Sequence, residues 1–198
     1  LGVRNLAIAT NLGFPRLGAN RELKRAIESY WAGAIDEEAL LQTGATIRRA
    51  NWLVQQKAGI THVPSNDFSL YDQVLDTSVM LVVVPERFGH EGGLVSLDTY
   101  FAMARGAVGD DETTSVPAMD MTKWFDTNYH YIVPELEAGM KFKLSSTKAV
   151  DEFVEAREMG VITRPVLLGP VTYLVLCKSN DPKVDPLSML ESILPIYE

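Results

Sequence analysis

The sequence predicts an α/β fold that corresponds to roughly the first half of a (βα)8 TIM-type barrel. Short apolar segments alternate with longer segments of helical periodicity, which gives about four βα units. Such alternation is typical of a parallel sheet with helices packed outside it. A closed barrel typically needs about 250 residues, whereas this chain has 198 residues and ends inside a helical pattern. We therefore expect residues 1–198 to be the N-terminal portion of a barrel domain in a longer protein.

The first predicted βα unit consists of a strand, a loop and a helix. The strand is expected over Leu6–Leu12, and the loop that follows it has the sequence GFPRLG. Apolar residues then recur at helical spacing over Arg21–Trp31, with Asn20 as the predicted N-cap and Gly33 as the stop signal.

A second helix and a second strand follow this unit. Asp36 is predicted to cap the helix, and Gly59 stands in the C′ position at which helices commonly end. Ile60–Val63 is the next predicted strand, and the polar loop Pro64–Asp67 follows it directly. Loops at the carboxyl ends of parallel strands commonly bind ligands. Ordinary surface loops have the same composition, so both interpretations of these loops stay open.

The remaining elements are predicted on the same grounds. Helical patterns cover Ser69–Val84, Asp98–Arg105, Lys148–Met159 and a segment beginning with Ser188–Leu194. Extended segments cover Trp124–Val133 and Arg164–Leu168. The polar and acidic stretch Gly106–Pro117 is expected to be mobile.

The composition limits the classes of partner. A net charge of −8 argues against nucleic acid and against an anionic membrane surface, so neither partner is expected. No apolar run reaches the roughly 18–20 residues of a membrane span. The single cysteine, Cys177, excludes an internal disulfide framework and indicates a reducing, cytoplasmic location.

The soft metal ligands of the chain are few and widely spaced. They are His62, His90, His130 and Cys177, and no two of them have the close spacing of a zinc motif. We therefore expect no metal ion and no other cofactor to be bound by this chain alone.

Basic residues stand at the start of the first helix, where the helix dipole disfavours them. Arg21, Lys24 and Arg25 fall on or near the first turn, and Arg16 lies in the preceding loop. The positive end of the dipole opposes such cations by about 0.3–1 kcal/mol each. A bound anion would reverse the sign of that effect, because free N–H groups and cations would converge on it. The segment therefore predicts an anion-binding corner.

A polar series in the predicted strand Trp124–Val133 is a second candidate site. In a strand, Trp124, Asp126, Asn128 and His130 would share one face. Polar groups on a buried face are costly unless they meet partners. Either a ligand or an internal hydrogen-bond network would supply those partners.

Four segments of the chain resemble a known family. These are LGFPRLGANRELKRAIESYWAG, PSNDFSLYDQVLDTSVMLVVVPERF, MTKWFDTNYHYIVPEL and RPVLLGPVTYL. They are similar to the N-terminal domain of cobalamin-independent methionine synthase, and the similarity extends from about Asn11 to Glu198.

The resemblance implies a zinc enzyme built from two (βα)8 barrels that does not use cobalamin. Such an enzyme transfers a methyl group from 5-methyltetrahydropteroyltri-L-glutamate to L-homocysteine to make methionine. The zinc ligands and most homocysteine contacts are implied for the C-terminal barrel, which this sequence lacks. This chain is thereby expected to bind the polyglutamate tail of the folate without being catalytic alone, and to have the C-terminal barrel as a partner.

The resemblance also implies the substrate-binding residues. The RELK segment gives Arg21, Glu22, Leu23 and Lys24, the MTK segment gives Lys123, and the FDTNYHY segment gives Asn128. The structural alternative is a brace for the catalytic barrel, in which the basic corner forms interdomain ion pairs. An incomplete barrel would also leave a sheet edge unpaired, which predicts self-association.

Overall fold

The computed structural model describes residues 7–108 and 115–198 and confirms a mixed α/β fold. The helices are α1 (Glu22–Trp31), α2 (Glu37–Lys57), α3 (Gln73–Leu81), α4 (Leu97–Arg105), α5 (Lys148–Glu158), α6 (Pro170–Leu176) and α7 (Leu190–Tyr197). The strands are β1 (Val63–Ser65), β2 (Met121–Lys123), β3 (His130–Ile132), β4 (Glu135–Leu136), β5 (Thr163–Pro165) and β6 (Lys178–Ser179). Short 3-10 helices cover Glu86–Phe88 and Pro186–Met189.

The chain divides into two compact units. The first unit extends to Leu70 and includes Lys148–Leu167, so it contains α1, α2, β1, α5 and β5. The second unit consists of Tyr71–Thr147 and Leu168–Glu198 and contains the other elements.

The first unit is built around a short parallel sheet. β1 pairs with β5 in parallel, with Val63 opposite Thr163, and Thr10 forms a parallel bridge with His62. Trp52 of α2 is fully buried, and its indole N–H donates to the Pro64 carbonyl at 3.0 Å. This bond satisfies the polar atom of a large core side chain and fixes α2 against β1.

Several predicted element ends in the first unit are confirmed. Asp36 caps α2 by accepting a hydrogen bond from the Ala39 N–H at 2.9 Å. Gly33 and Gly59 follow α1 and α2 with positive φ angles of 68° and 87°. The first strand is reduced to the Thr10 bridge in the described residues, and Leu6 lies outside them.

The second unit has one antiparallel and one parallel strand pair. β2 pairs with β3 as a hairpin, and β4 pairs with β6 in parallel. Apolar side chains from α3, β3, α6 and α7 form its core, which includes Leu81, Tyr131, Tyr173, Leu174 and Ile193. Asp72 is the N-cap of α3.

Two predictions for the second unit need correction, and several short elements are added. The single strand over Trp124–Val133 is wrong, because β2 ends at Lys123 and the chain turns before β3. The helix predicted over Ser69–Val84 begins at Gln73, since Asp72 caps it, and ends at Leu81, where the C-cap residue Val82 has a left-handed conformation. β2, β4, α6 and β6 are not predicted by the sequence, because elements of two to seven residues contain too few positions for a periodic signal.

The half-barrel stays a prediction. In the described residues the strands form three two-stranded sheets, of which two are parallel. Within the segment expected to be mobile, Ala107 and Val116 form an antiparallel bridge, and residues 109–114 lie outside the described residues. None of the helices in residues 7–108 and 115–198 has the length and hydropathy of a membrane span.

A network of charged side chains surrounds Glu135 in β4. The two terminal nitrogens of the Arg87 guanidinium, Nη1 and Nη2, donate to the Glu135 carboxylate at 2.6 and 2.8 Å, and the Lys178 ammonium lies 3.5 Å from it. Glu135 is buried. The Arg87 hydrogen bond is the main cause that lowers the pKa of Glu135 below its ordinary value of 4.5, against the opposing effect of burial.

Replacing Glu135 with glutamine is expected to reduce the acid sensitivity of folding. Because the folded-state pKa is lowered, the stabilisation is complete above about pH 4.5 and is lost as the pH falls through the folded-state pKa. We expect Glu135→Gln to lower the free energy of unfolding by about 1–2 kcal/mol at pH 7, since Arg87 is partly exposed. In urea unfolding, the difference in free energy of unfolding between the wild type and Glu135→Gln should become smaller below pH 4. A difference that is constant with pH would contradict the prediction.

Candidate functional site

The start of α1 differs from the prediction. Arg21, not Asn20, is the N-cap residue, and it has a left-handed conformation with φ 62° and no side-chain cap hydrogen bond. The Asn20 N–H and side-chain amide instead donate to the Glu22 carboxylate at 2.9 and 3.1 Å. The prediction of Asn20 as N-cap is therefore wrong, and a carboxylate of the chain itself lies at the helix start.

Glu22 changes the electrostatics of this corner. Backbone N–H groups of Glu22 and Asn20 are the main causes that lower the pKa of Glu22. The positive charge of Arg25 also lowers the pKa of Glu22, and the Arg25 guanidinium donates to the Asn20 carbonyl at 2.6 Å. An external anion is not needed to offset the cations, because Glu22 already supplies a negative charge. A ligand at this corner would be held mainly by side-chain cations.

The two cations of the RELK segment are exposed to solvent. Arg21 is exposed, and the Lys24 ammonium lies 3.5 Å from the Glu28 carboxylate, one helix turn away. The Lys24 and Glu28 side chains are 48% and 53% exposed, and such pairs contribute only about 0–1 kcal/mol. Lys24 can therefore exchange this partner for a ligand carboxylate at small cost. Leu23 is fully buried, and its N–H donates to the Leu17 carbonyl at 3.2 Å, so it offers no surface to a ligand.

Lys123 and Asn128 lie on the β2–β3 hairpin of the second unit. Lys123 is opposite His130, and the Trp124 N–H donates to the Tyr129 carbonyl at 2.7 Å, which closes the turn. Asn128 lies within this turn, and both predicted site residues are exposed.

The polar series predicted on one buried strand face is not formed. Asp126, Asn128 and His130 are exposed, and they belong to the turn and the first residue of β3. Trp124 makes edge-to-face contacts with the rings of Phe125, Tyr129 and Tyr131, which stabilise the hairpin from its apolar side. The hairpin therefore presents its polar side chains to solvent.

Four of the six predicted site residues lie close together because they are consecutive in the sequence. Arg21, Glu22, Leu23 and Lys24 share the first turn of α1 in the first unit. Lys123 and Asn128 share the hairpin in the second unit. The assignment of all six to one folate tail stays a prediction.

The polar residues after β1 make a long-range contact that the sequence does not indicate. β1 extends to Ser65, so of the predicted loop Pro64–Asp67 only Asn66 and Asp67 follow the strand. The Asp67 carboxylate accepts a hydrogen bond from the Phe14 N–H at 2.8 Å, which joins this short loop to the GFPRLG loop. Burial raises the pKa of Asp67, and the Phe14 hydrogen bond opposes that rise. Both loops were candidate ligand loops, yet their contact was not foreseen, because the two residues are 53 positions apart.

The described residues do not fit a zinc site. Across residues 7–108 and 115–198 there is no group of three histidine, cysteine, aspartate or glutamate side chains that could hold a metal ion. Cys177 is partly buried, and burial raises the pKa of its thiol to about 12, so it is a protonated side chain at neutral pH.

Comparison with known proteins identifies the family. The family model described as "Cobalamin-independent synthase, N-terminal domain" matches residues 8–198. The chain belongs to this family. The resemblance inferred from the sequence is thereby confirmed.

Relatives of this family chain include named methyltransferases. This chain is 55% identical to the 5-methyltetrahydropteroyltriglutamate–homocysteine methyltransferase of Nitrobacter winogradskyi, over 94% of this chain and 26% of that protein. The proteins of the same name from Caulobacter vibrioides and Salinibacter ruber are 54% and 53% identical, over 97% of this chain and 26% and 25% of their own lengths. The chain spans about a quarter of the length of these relatives.

Proposed function

We propose that this chain binds the polyglutamate tail of 5-methyltetrahydropteroyltri-L-glutamate in a longer methyltransferase. The carrying observation is the exposure of Arg21 and Lys24 on the first turn of α1, in a chain whose net charge is −8. An overall negative charge repels a polyanion, so exposed cations on a single turn provide the local attraction that binding needs. The names of the relatives supply the identity of the polyanion.

The proposal extends to the whole protein. In it, the longer protein transfers the methyl group to L-homocysteine and makes methionine in the cytoplasm. The proposal includes a (βα)8 barrel to whose first half this chain corresponds, and the parallel strand pairing within each unit supports it. A second barrel holds zinc and homocysteine, and the residues of this chain bind the folate tail without acting as acid, base or metal ligand.

The proposed tail contacts are charge interactions at solvent-exposed positions. Lys24 and Lys123 act as point charges for carboxylates, whereas Arg21 can bind a carboxylate with two parallel hydrogen bonds. Each exposed contact is worth about 0–1 kcal/mol, so affinity grows with the number of glutamyl units. A preference for the triglutamate over the monoglutamate form is the expected signature.

Removing one lysine at a time tests the proposal. Lys24→Ala and Lys123→Ala are each expected to weaken binding of the triglutamate form by about three- to fivefold, with little effect on the monoglutamate form. Isothermal titration with both forms of the folate measures this. Lys57→Ala is the matched control, because Lys57 is an exposed lysine in the last turn of α2.

The outcomes separate tail binding from a structural role. If both lysine variants keep the full triglutamate preference, tail binding by these residues is wrong. The brace alternative, in which the basic corner forms interdomain ion pairs, would then be favoured.

A further inference from the structure

We propose that Asp67 is a positioning residue, whose carboxylate fixes the Gly13–Gly18 loop and thereby places Arg21 and Lys24 for the folate tail. This inference rests on the proposed function, since the loop leads directly into the RELK segment. Asp67 itself touches the loop and not the tail. Asp67, the Gly13–Gly18 loop, the RELK segment and the residues that contact them all belong to the first unit.

The Gly13–Gly18 loop is held at three points. The Asp67 carboxylate accepts from the Phe14 N–H at 2.8 Å. The Arg16 guanidinium donates to the carbonyls of Ser69 and Leu70, both at 3.0 Å. The Asn51 side-chain amide donates to the Pro15 carbonyl at 3.1 Å. The Asp67 and Arg16 contacts each involve an ionised group, and such hydrogen bonds are roughly twice as strong as neutral ones. Of these two, Asp67 is the one that holds the loop backbone directly, through the Phe14 N–H.

The end of this loop sets the start of α1. The Arg21 N–H donates to the Gly18 carbonyl at 3.3 Å, and the Leu23 N–H donates to the Leu17 carbonyl at 3.2 Å. Arg21 has φ 62°, a conformation that residues other than glycine seldom adopt. The direction of the Arg21 side chain therefore depends on loop backbone that Asp67 holds in place.

Asp67 is itself held by a constrained neighbour. Asn66 has φ 59°, and asparagine is one of the few residues that tolerate this left-handed region. Its N–H donates to the Glu152 carboxylate, its side-chain amide donates to the Val166 carbonyl, and its side-chain oxygen accepts from Lys148, all at 2.8 Å. Such overdetermined strain is typical of functional loops.

Asn66 is held in place by charged side chains, of which Glu152 is buried. Glu152 is only 3% exposed, and its carboxylate lies 3.2 Å from Lys148 and 3.7 Å from Arg48. The position of Asp67 is thus fixed from α5 through Asn66, and that of the loop is fixed from Asp67. A rigid scaffold of this kind limits the entropy that a ligand must overcome on binding.

Two substitutions at Asp67 test the inference. Asp67→Ala removes the acceptor, whereas Asp67→Asn keeps an oxygen that accepts from the Phe14 N–H. We expect Asp67→Ala to weaken triglutamate binding about tenfold, and Asp67→Asn to restore most of that loss. Monoglutamate binding should change little in either variant. Hydrogen exchange of the Phe14 amide should accelerate in Asp67→Ala without any ligand present.

A double-mutant cycle distinguishes positioning from a general loss of stability. If Asp67 acts through the RELK turn, Asp67→Ala and Lys24→Ala should be non-additive for triglutamate affinity. Asp67→Ala combined with Lys57→Ala should be additive. Should Asp67→Ala fail to fold, Asn51→Ala serves as the second variant, because it releases the same loop at Pro15.

The outcomes identify which proposal fails. If the wild type binds the monoglutamate and triglutamate forms equally, the proposed function is wrong and Asp67 has no tail to position. If the wild type prefers the triglutamate form and Asp67→Ala keeps that preference, only the role of Asp67 is overturned. Additive effects of Asp67→Ala and Lys24→Ala would also overturn it.

Discussion

Replacing Asp72 with alanine is expected to lower the free energy of unfolding by about 2–4 kcal/mol. The Asp72 carboxylate is 2% exposed and accepts hydrogen bonds from three backbone N–H groups. Val74 and Leu75 donate to one oxygen at 2.7 and 3.0 Å, and Ile132 donates to the other at 3.1 Å. Alanine would remove the α3 cap and leave the Ile132 N–H buried without a partner.

The measurement is urea unfolding at pH 7.5. Burial raises the pKa of Asp72 to about 6, so at this pH the side chain is ionised and accepts all three bonds. Because the folded-state pKa is raised, Asp72 contributes more to the free energy of unfolding below pH 4, and this contribution decreases as the pH rises through about 6.

Asp72→Ser is the matched control for this prediction. A serine hydroxyl can still cap α3, but its side chain is too short to reach Ile132. The serine variant should therefore lose about 1–2 kcal/mol, which isolates the contribution of the bond to β3. Equal losses for serine and alanine would show that the helix cap contributes nothing.

Helix ends were predictable from sequence where a local signal sets them. Asp36 bonds to a backbone group three positions later, and Gly33 and Gly59 take positive φ angles directly after their helices. The residues involved are only a few positions apart, so the sequence alone indicates these helix ends. By contrast, the sequence predicts a continuous strand through the β2–β3 turn, because aromatic residues favour strands and no Asn-Gly or Asp-Gly pair marks the turn.

The candidate site was predictable in composition but not in geometry. The basic RELK turn was found from its charges, yet the sequence did not show that Glu22, rather than a ligand, would lie at the helix start. The Asn66 and Asp67 contacts were missed for a different reason. Their partners Glu152 and Phe14 are 86 and 53 positions away, and only the folded chain brings them together.

Gly106→Ala is expected to destabilise the second unit by about 2–4 kcal/mol. Gly106 ends α4 with φ 79° and ψ 168°, a conformation that is essentially restricted to glycine. A Cβ atom there would lie 2.7 Å from the Val116 carbonyl oxygen and 3.1 Å from the Ala118 nitrogen. Both are backbone atoms, and Ala107 pairs with Val116 through two hydrogen bonds of 2.9 Å. The overlap cannot be relieved without loss of this bridge.

Gly89→Ala separates the conformational cost from the overlap. Gly89 also has a positive φ, 65°, but a Cβ atom there would meet nothing within 4 Å. We expect this variant to lose about 1–2 kcal/mol, the cost of the left-handed conformation alone. Thermal unfolding of both variants measures the difference. If the two variants were equally stable, the contact with Val116 would add nothing, and the chain around Ala107 would have to be free to move away from Gly106.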